Sequence, residues 1–122
     1  MASAKRVLVV DDYPAVVLAL RVALEPDGRF VIGDIATTAA QGLDKLPGHD
    51  VVLLDLHLPD MEGKPMVEAY RQRAPDVPIV LHSADDDTPE VEAVRPLVDA
   101  VAPKGRNAEV LDALVRATRT ER

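Results

Sequence analysis

Four aliphatic residues in a row, Val51-Val52-Leu53-Leu54, run directly into a carboxylate, Asp55, and then into the turn-rich segment Leu56-His57-Leu58-Pro59-Asp60-Met61-Glu62-Gly63. A continuous apolar run of this length, bounded by turn signals, reads as a strand buried on both faces, which puts Asp55 at its carboxyl end beside apolar packing. An ionised carboxylate in that place costs free energy unless a cation or hydrogen-bond donors meet it. The rest of the chain offers three sets of groups that could do so: Asp11-Asp12, Ser83 and Lys104.

The same pattern recurs along the chain. Val7-Leu8-Val9-Val10 ends on Asp11-Asp12, and Pro14 then suits the first position of a helix, where its missing N–H is not needed. Pro26-Asp27-Gly28 breaks that helix, and Phe30 to Ile35 reads as a second strand. Thr38-Ala39-Ala40-Gln41 has capping-box spacing for a second helix, with Leu43 and Leu46 inward and a stop at Pro47-Gly48. After the Asp55 strand, Lys64-Pro65 opens a third helix with Met66, Val67 and Tyr70 on one face, and Pro75 closes it. Pro78 to His82 is a fourth strand. Asp85-Asp86-Asp87-Thr88-Pro89 reads as a solvated helix start, and Pro96 predicts that the fourth helix is short or kinked. A weak fifth strand, Ala100-Val101-Ala102, leads into Pro103-Lys104-Gly105, and Asn107 is expected to cap a last helix with Val110, Leu111, Leu114 and Val115 inward.

Five strand–helix alternations predict an α/β fold, a five-stranded parallel sheet with helices on both faces, because parallel neighbours need right-handed crossovers. Ligands of such doubly wound sheets bind outside the carboxyl ends of the strands, at the point where the strand order reverses. Asp11, Asp12, Asp55, Ser83 and Lys104 all fall at expected carboxyl ends.

Composition narrows the chemistry. A chain of 122 residues suits one domain, and its 14 Lys and Arg against 21 Asp and Glu, a net charge of -7, are scattered, which disfavours direct nucleic-acid binding. There is no Cys, hence no disulfide, thiolate metal site or thiol nucleophile. The apolar run after Lys5-Arg6 is too short for a signal-peptide core, and none approaches the roughly 20 residues of a membrane span, so a cytoplasmic protein without membrane contact is expected.

Gathered at one sheet edge, the three carboxylates repel one another unless a divalent cation settles among them. An oxygen-only donor set points to Mg²⁺, with Mn²⁺ as the alternative, rather than Zn²⁺. A carboxylate beside such a cation can attack phosphorus, with Lys104 neutralising a phosphoryl oxygen and the Ser83 hydroxyl donating to another. Taken singly, each of these residues has a plainer reading as a turn, a cap or a solvated side chain. Their convergence makes the functional reading the stronger one. His49, His57 and His82 lack companions at metal-ligand spacing and read as loop or strand-end histidines.

In order and spacing, Val7 to Asp12, Leu53 to Gly63, Leu81-His82-Ser83-Ala84 and Pro103-Lys104 resemble the receiver domain of two-component response regulators, over nearly the whole chain. The details Asp11-Asp12-Tyr13-Pro14 and Val31-Ile32-Gly33-Asp34 look most like receivers that carry a helix-turn-helix output domain. The resemblance implies a flavodoxin-like (βα)5 fold, a receiver over residues 1–122 with no output domain in this chain, and a conformational switch rather than an enzyme of metabolism. It implies that Asp55 is the phosphoacceptor, served by a sensor histidine kinase or phosphotransfer protein. Asp11, Asp12 and Asp55, with the His57 backbone carbonyl, are implied to hold Mg²⁺, and Ser83 and Lys104 to contact the phosphoryl group and relay the signal to a downstream output domain or protein. A phosphorylation-dependent homodimer and a role in transcription belong to the same implication.

The sequence departs from that family pattern at three places. Val101 stands where the family usually has an aromatic residue, Pro103 precedes Lys104 while Gly105 follows it, and Pro96 interrupts the fourth helix. Two rival readings follow from other classes. A metal-dependent phosphatase with an Asp nucleophile, like the haloacid dehalogenases, wants a second Asp two residues on, where this chain has His57. A phosphorylation-independent receiver-like interaction module is kept open by Val101 and Pro96, and opposed by the intact set of Asp11, Asp12, Asp55, Ser83 and Lys104.

Overall fold

The computed structural model describes residues 4–85 and 87–119. Strands β1 (Lys5–Val10), β2 (Phe30–Ala36), β3 (Val51–Asp55), β4 (Ile79–Ser83) and β5 (Ala100–Pro103) alternate with helices α1 (Pro14–Leu24), α2 (Ala39–Lys45), α3 (Gly63–Arg73), α4 (Pro89–Val94) and α5 (Asn107–Thr118). All pair in parallel, in the order β2-β1-β3-β4-β5. The order reverses between β1 and β3, so the carboxyl ends of these two neighbours open the crevice where such sheets bind ligands.

The aliphatic runs are continuous because each strand feeds two cores. Leu8, Val10, Val52, Leu54, Ile79 and Leu81 face one side and pack with α2, α3 and α4 through Leu46, Met66, Val67, Tyr70, Val91 and Val94. Val7, Val9, Val51, Leu53 and Val80 face the other side and meet α1 and α5 through Val17, Leu20, Leu24, Val110, Ala113, Leu114 and Ala117. This is the period-two alternation of a strand, with both faces covered.

Helix starts follow their sequence signals with two departures, at Gln41 and Asn107. Thr38 Oγ1 accepts from Gln41 N, while the Gln41 side chain reaches back to Thr37 N, one residue earlier than a standard capping box. Thr88 caps α4 by accepting from Val91 N, ahead of Pro89. Of the acidic run before it, Asp85 and Asp87 are exposed, and Asp86 lies outside the described residues. Asn107 does not cap α5. Glu109 N and Val110 N both close on Arg106 O, at 3.0 and 3.1 Å, so Arg106 is the cap residue and Asn107 is already helical.

Pro96 acts as its chemistry dictates: α4 ends at Val94 and a 3-10 turn, Arg95–Leu97, carries the proline. The connection is then clamped from α3. Arg71 donates to Leu97 O at 2.8 Å and to Asp99 Oδ2 at 2.9 Å, and Asp99 Oδ2 also accepts from Ile79 N at 2.8 Å.

Two contacts fix α2. Asp60, in the loop after β3, accepts from Ala39 N and Ala40 N at 2.8 and 3.0 Å, satisfying the helix donors that Thr38 does not reach. Those backbone N–H groups hold the Asp60 carboxyl below its usual 3.8. Gly42 leaves room for the buried Tyr70, whose hydroxyl donates to Ala39 O at 2.8 Å. A Cβ on Gly42 would run into that hydroxyl.

Gly42→Ala is therefore expected to lower stability by about 1–3 kcal/mol through overpacking, against the gain of up to about 1 kcal/mol that alanine brings to an ordinary helix interior. Urea unfolding of Gly42→Ala, Tyr70→Phe and the double variant checks this: removing the hydroxyl should recover part of the loss, and simple additivity would refute the clash. Because its folded-state pKa is depressed, Asp60 stabilises α2 fully above pH 3.8 and loses that effect as pH falls through the lowered value. The stability difference between wild type and Asp60→Ala should close over that acid range, with faster amide exchange at Ala39 and Ala40 in the variant at neutral pH.

Candidate functional site

The carboxyl ends of β1, β3, β4 and β5 bring the expected polar groups to one cleft of about 420 Å³, lined by Asp12, Asp55, His57, Ser83, Asp85, Thr88, Glu90 and Lys104 among others. Asp11 and Asp55 are buried, while Asp12 is exposed. Asp11, Asp12 and Asp55 each present a carboxylate oxygen within 4.8 Å of the others. Asp55 is 6% exposed, which places a charge at an apolar strand end as the sequence implied.

Lys104 answers the question of what meets Asp55. Pro103 is the last residue of β5, Gly105 turns the chain with φ 86°, and the lysine side chain crosses to the acids. Lys104 Nζ lies 3.1 Å from Asp55 Oδ2 and 3.0 Å from Asp11 Oδ2. The first contact is a hydrogen bond, whereas the second is an ion-pair approach that leaves Asp11 Oδ2 without a hydrogen-bond partner. Asp11 Oδ1 accepts from Tyr13 N at 2.9 Å, and Asp55 Oδ1 accepts from His57 N at 3.1 Å. Each acid thus has one oxygen fixed by its own turn and the other facing the lysine.

The electrostatics follow. Burial pushes the Asp55 carboxyl above its usual 3.8; the His57 N–H and the Lys104 ammonium pull against this, and the Asp11 charge adds to it. Burial works against the Lys104 charge too, but the Asp11 and Asp55 carboxylates outweigh it and raise the lysine's pKa. One half-buried ammonium is shared by two buried carboxylates, and the third acid stands at the mouth. The group carries a net negative charge with oxygen donors only, including a buried oxygen that lacks a hydrogen-bond partner, which fits a hard divalent cation.

Ser83 lines the cleft from the end of β4, its Oγ accepting from Asp85 N at a long 3.4 Å and its carbonyl accepting from Lys104 N at 2.7 Å. It makes no side-chain contact with Asp55 comparable to that of Lys104. His57 is exposed, with Nδ1 2.8 Å from Glu62 Oε1 across an isolated antiparallel bridge. The bonds closing that bridge, Leu58 N to Met61 O and Gly63 N to Leu56 O, do not use the His57 carbonyl. Its loop position agrees with the sequence reading. His49 lies before β3, with Nδ1 2.8 Å from Lys45 O.

His82 stands next to the end of β4, as read, but it is buried. It is an interior residue, 2% exposed, paired in register with Asp55 on one side and Ala102 on the other. Its Nδ1 lies 4.0 Å from Asp11 Oδ2, and its Nε2 has no hydrogen-bond partner among the described residues. Burial, with Lys104 nearby, lowers its pKa to about 4 despite Asp11, so the ring is neutral near pH 7. The available signal was its place: a polar residue in a strand whose other members are apolar, immediately before Ser83. Asp60 was also passed over, because its partners are backbone groups 20 and 21 residues away.

Comparison with known proteins agrees with this arrangement. The response regulator receiver domain family matches residues 7–115. The transcriptional regulatory protein KdpE of Mycobacterium tuberculosis is 40% identical over 90 residues, 72% of this chain and 39% of that protein. The DNA-binding response regulator MtrA of Mycolicibacterium smegmatis is 38% identical over 89 residues, 71% of this chain and 38% of that protein. The chain thus spans well under half the length of these relatives. The signal receiver domain of the putative response regulator NarL from Mycobacterium tuberculosis superposes with TM-score 0.87 at 24% identity, covering 98% of this chain and 100% of that one. The isolated REC domain of RcsB from Salmonella enterica gives TM-score 0.87 at 19% identity, over 98% and 91%. Among the described residues no helix is long and apolar enough to cross a membrane. With its doubly wound sheet, its acid pair after β1 and its β3 aspartate paired to the β5 lysine, the chain belongs to the response regulator receiver domain family of two-component systems.

Proposed function

We propose that this receiver is a phosphorylation switch in which Asp55 accepts a phosphoryl group from a phosphohistidine of a sensor histidine kinase or phosphotransfer protein. The observation that carries the reading is Lys104 Nζ seated between Asp55 Oδ2 and Asp11 Oδ2, at 3.1 and 3.0 Å. An Asp55 oxygen attacks phosphorus, a P–O bond forms, the P–N bond breaks, and its electron pair stays with the leaving imidazole. Burial makes the attacking carboxylate more basic than a solvated one. Lys104 then has a phosphoryl oxygen in place of a carboxylate oxygen to neutralise, and the Ser83 hydroxyl, in the same cleft, donates to another. Asp11, Asp12 and Asp55, with the His57 carbonyl, would hold Mg²⁺ or Mn²⁺; a bound divalent cation supplies positive charge that offsets repulsion between the carboxylates and the incoming group.

Residues 1–122 are read as the receiver unit, acting in the cytoplasm, and its output as a downstream domain or protein, with transcription the favoured process because the similar KdpE and MtrA are regulatory proteins. A homodimer formed on phosphorylation is part of the same reading. The chain itself turns over no metabolite and, with its net charge of -7, makes no direct nucleic-acid contact. The phosphatase alternative finds no support in the cleft, since His57 is exposed and paired with Glu62 where a general acid would be needed.

Incubation with a small acyl-phosphate donor should add one phosphoryl group by intact mass, and the gain should vanish in Asp55→Asn or after chelation of Mg²⁺. Labelling that persists in Asp55→Asn would assign the acceptor elsewhere. Asp12→Asn removes an exposed carboxylate, so it should weaken Mg²⁺ binding by calorimetric titration while changing stability by no more than about 0.5 kcal/mol.

A further inference from the structure

At the edge of the acidic cluster, His82 Nε2 has no hydrogen-bond partner among the described residues, and Asp11 Oδ2 is met only by the Lys104 ammonium, at 3.0 Å. They belong to side chains that face each other, with His82 Nδ1 4.0 Å from Asp11 Oδ2, both residues at 2% exposure or less. Native proteins rarely leave such groups unpaired without a reason, because each costs stability. The neighbours of His82 on this sheet face, Val80 and Ala102, are apolar, and an aliphatic residue would fill the position without that cost. A polar group kept where packing alone would favour an apolar one is a mark of function.

We propose that His82 is a positioning residue for Asp11: its Nδ1–H takes up the Oδ2 of that carboxylate when Lys104 turns from the acids toward a phosphoryl group. This rests on the phosphorylation reading given above. In the structure Lys104 Nζ, at 3.0 Å, is the cation facing Asp11 Oδ2. Once that ammonium is engaged elsewhere, the imidazole is the remaining group placed to hold the oxygen. A neutral imidazole carries one N–H, and the nitrogen facing a carboxylate is the one that keeps it. The 4.0 Å gap must close by about 1 Å to reach hydrogen-bond range, a shift within the reach of side-chain rotation. Asp11 Oδ1 is already fixed by Tyr13 N, so a donor at Oδ2 fixes the whole carboxylate plane presented to a cation. No proton is transferred; the role is orientation.

The test is calorimetric titration of Mg²⁺ into wild type, His82→Leu and His82→Asn, each with beryllofluoride present as a phosphoryl mimic that draws Lys104 from the acids, and a thermal melt of each in metal-free buffer without it. Asparagine places an amide N–H near the Nδ1 position, while leucine fills the space without a donor. His82→Leu should weaken Mg²⁺ binding about 10-fold, the lower end of what groups that orient a metal ligand contribute, and His82→Asn should stay within about threefold of wild type. His82→Leu should also melt no lower than wild type, because it removes an unsatisfied buried polar group; a merely structural histidine would give the reverse, lower stability with unchanged Mg²⁺ affinity. Wild-type affinity in His82→Leu, or equal losses in both variants, would overturn the positioning role while leaving the phosphorylation reading in place. If His82→Leu does not fold, His82→Gln, whose amide lies beyond the Nδ1 position, takes its place against His82→Asn by the same criterion. Absence of Mg²⁺ binding by wild type would overturn the metal reading and this inference with it.

Discussion

The ammonium of Lys104, held at 3.0 Å from Asp11 and 3.1 Å from Asp55, is the interaction on which the rest of the structure depends. Two buried carboxylates at adjacent strand ends repel each other, and a single cation arriving from β5 offsets that repulsion at the point where the sheet order reverses. It does so incompletely. Asp55 remains shifted toward the protonated form by burial, and Asp11 keeps an oxygen without a hydrogen bond. A fully neutralised cluster would be an inert structural salt bridge; this one retains affinity for positive charge and a lysine shared between two carboxylates.

The sheet makes that unsatisfied cluster tolerable. Aliphatic residues from β1, β3 and β4 are buried on both faces, so the strand ends are held by two cores rather than one. Asp60 adds a tie from the loop after β3 to the start of α2, and Tyr70 reaches Ala39 O through the space that Gly42 leaves. The loop after β3 is thereby anchored to α2, and the repulsion of buried like charges is confined to groups that a cation would relieve.

Much of this was legible in the sequence because it depends on local signals. Continuous aliphatic runs marked the buried strands, Pro14, Pro89 and Thr88 marked helix starts, and Pro96 marked the early end of α4. The placement of Asp11, Asp12, Asp55, Ser83 and Lys104 at one edge followed from topology alone once the alternation was recognised. What escaped were features set by tertiary register. His82 was read near the end of its strand, but its burial between Asp55 and Ala102 was not. Asp60 caps a helix from 20 residues away, and no spacing rule reaches that far. Asn107 is a good capping residue, but the turn at Gly105 lets the helix close one position earlier on Arg106.

The departures from the family pattern lie together on the side of β5 and α4, and the structure gives them a common consequence. Val101 is half-buried against the core that holds Leu81, and its branched side chain is stiff about its first torsion. The end of α4 is equally constrained, because Arg71 and Asp99 tie the 3-10 turn that carries Pro96 to α3 and to the start of β4. The beginning of the same helix is different: Thr88 and Glu90 line the cleft that contains Asp55 and Lys104. At the cleft, the end of β4 and the β5 lysine are tied by the Ser83–Lys104 backbone bond, beside the start of α4, while the far end of that helix is held by Arg71 and Asp99.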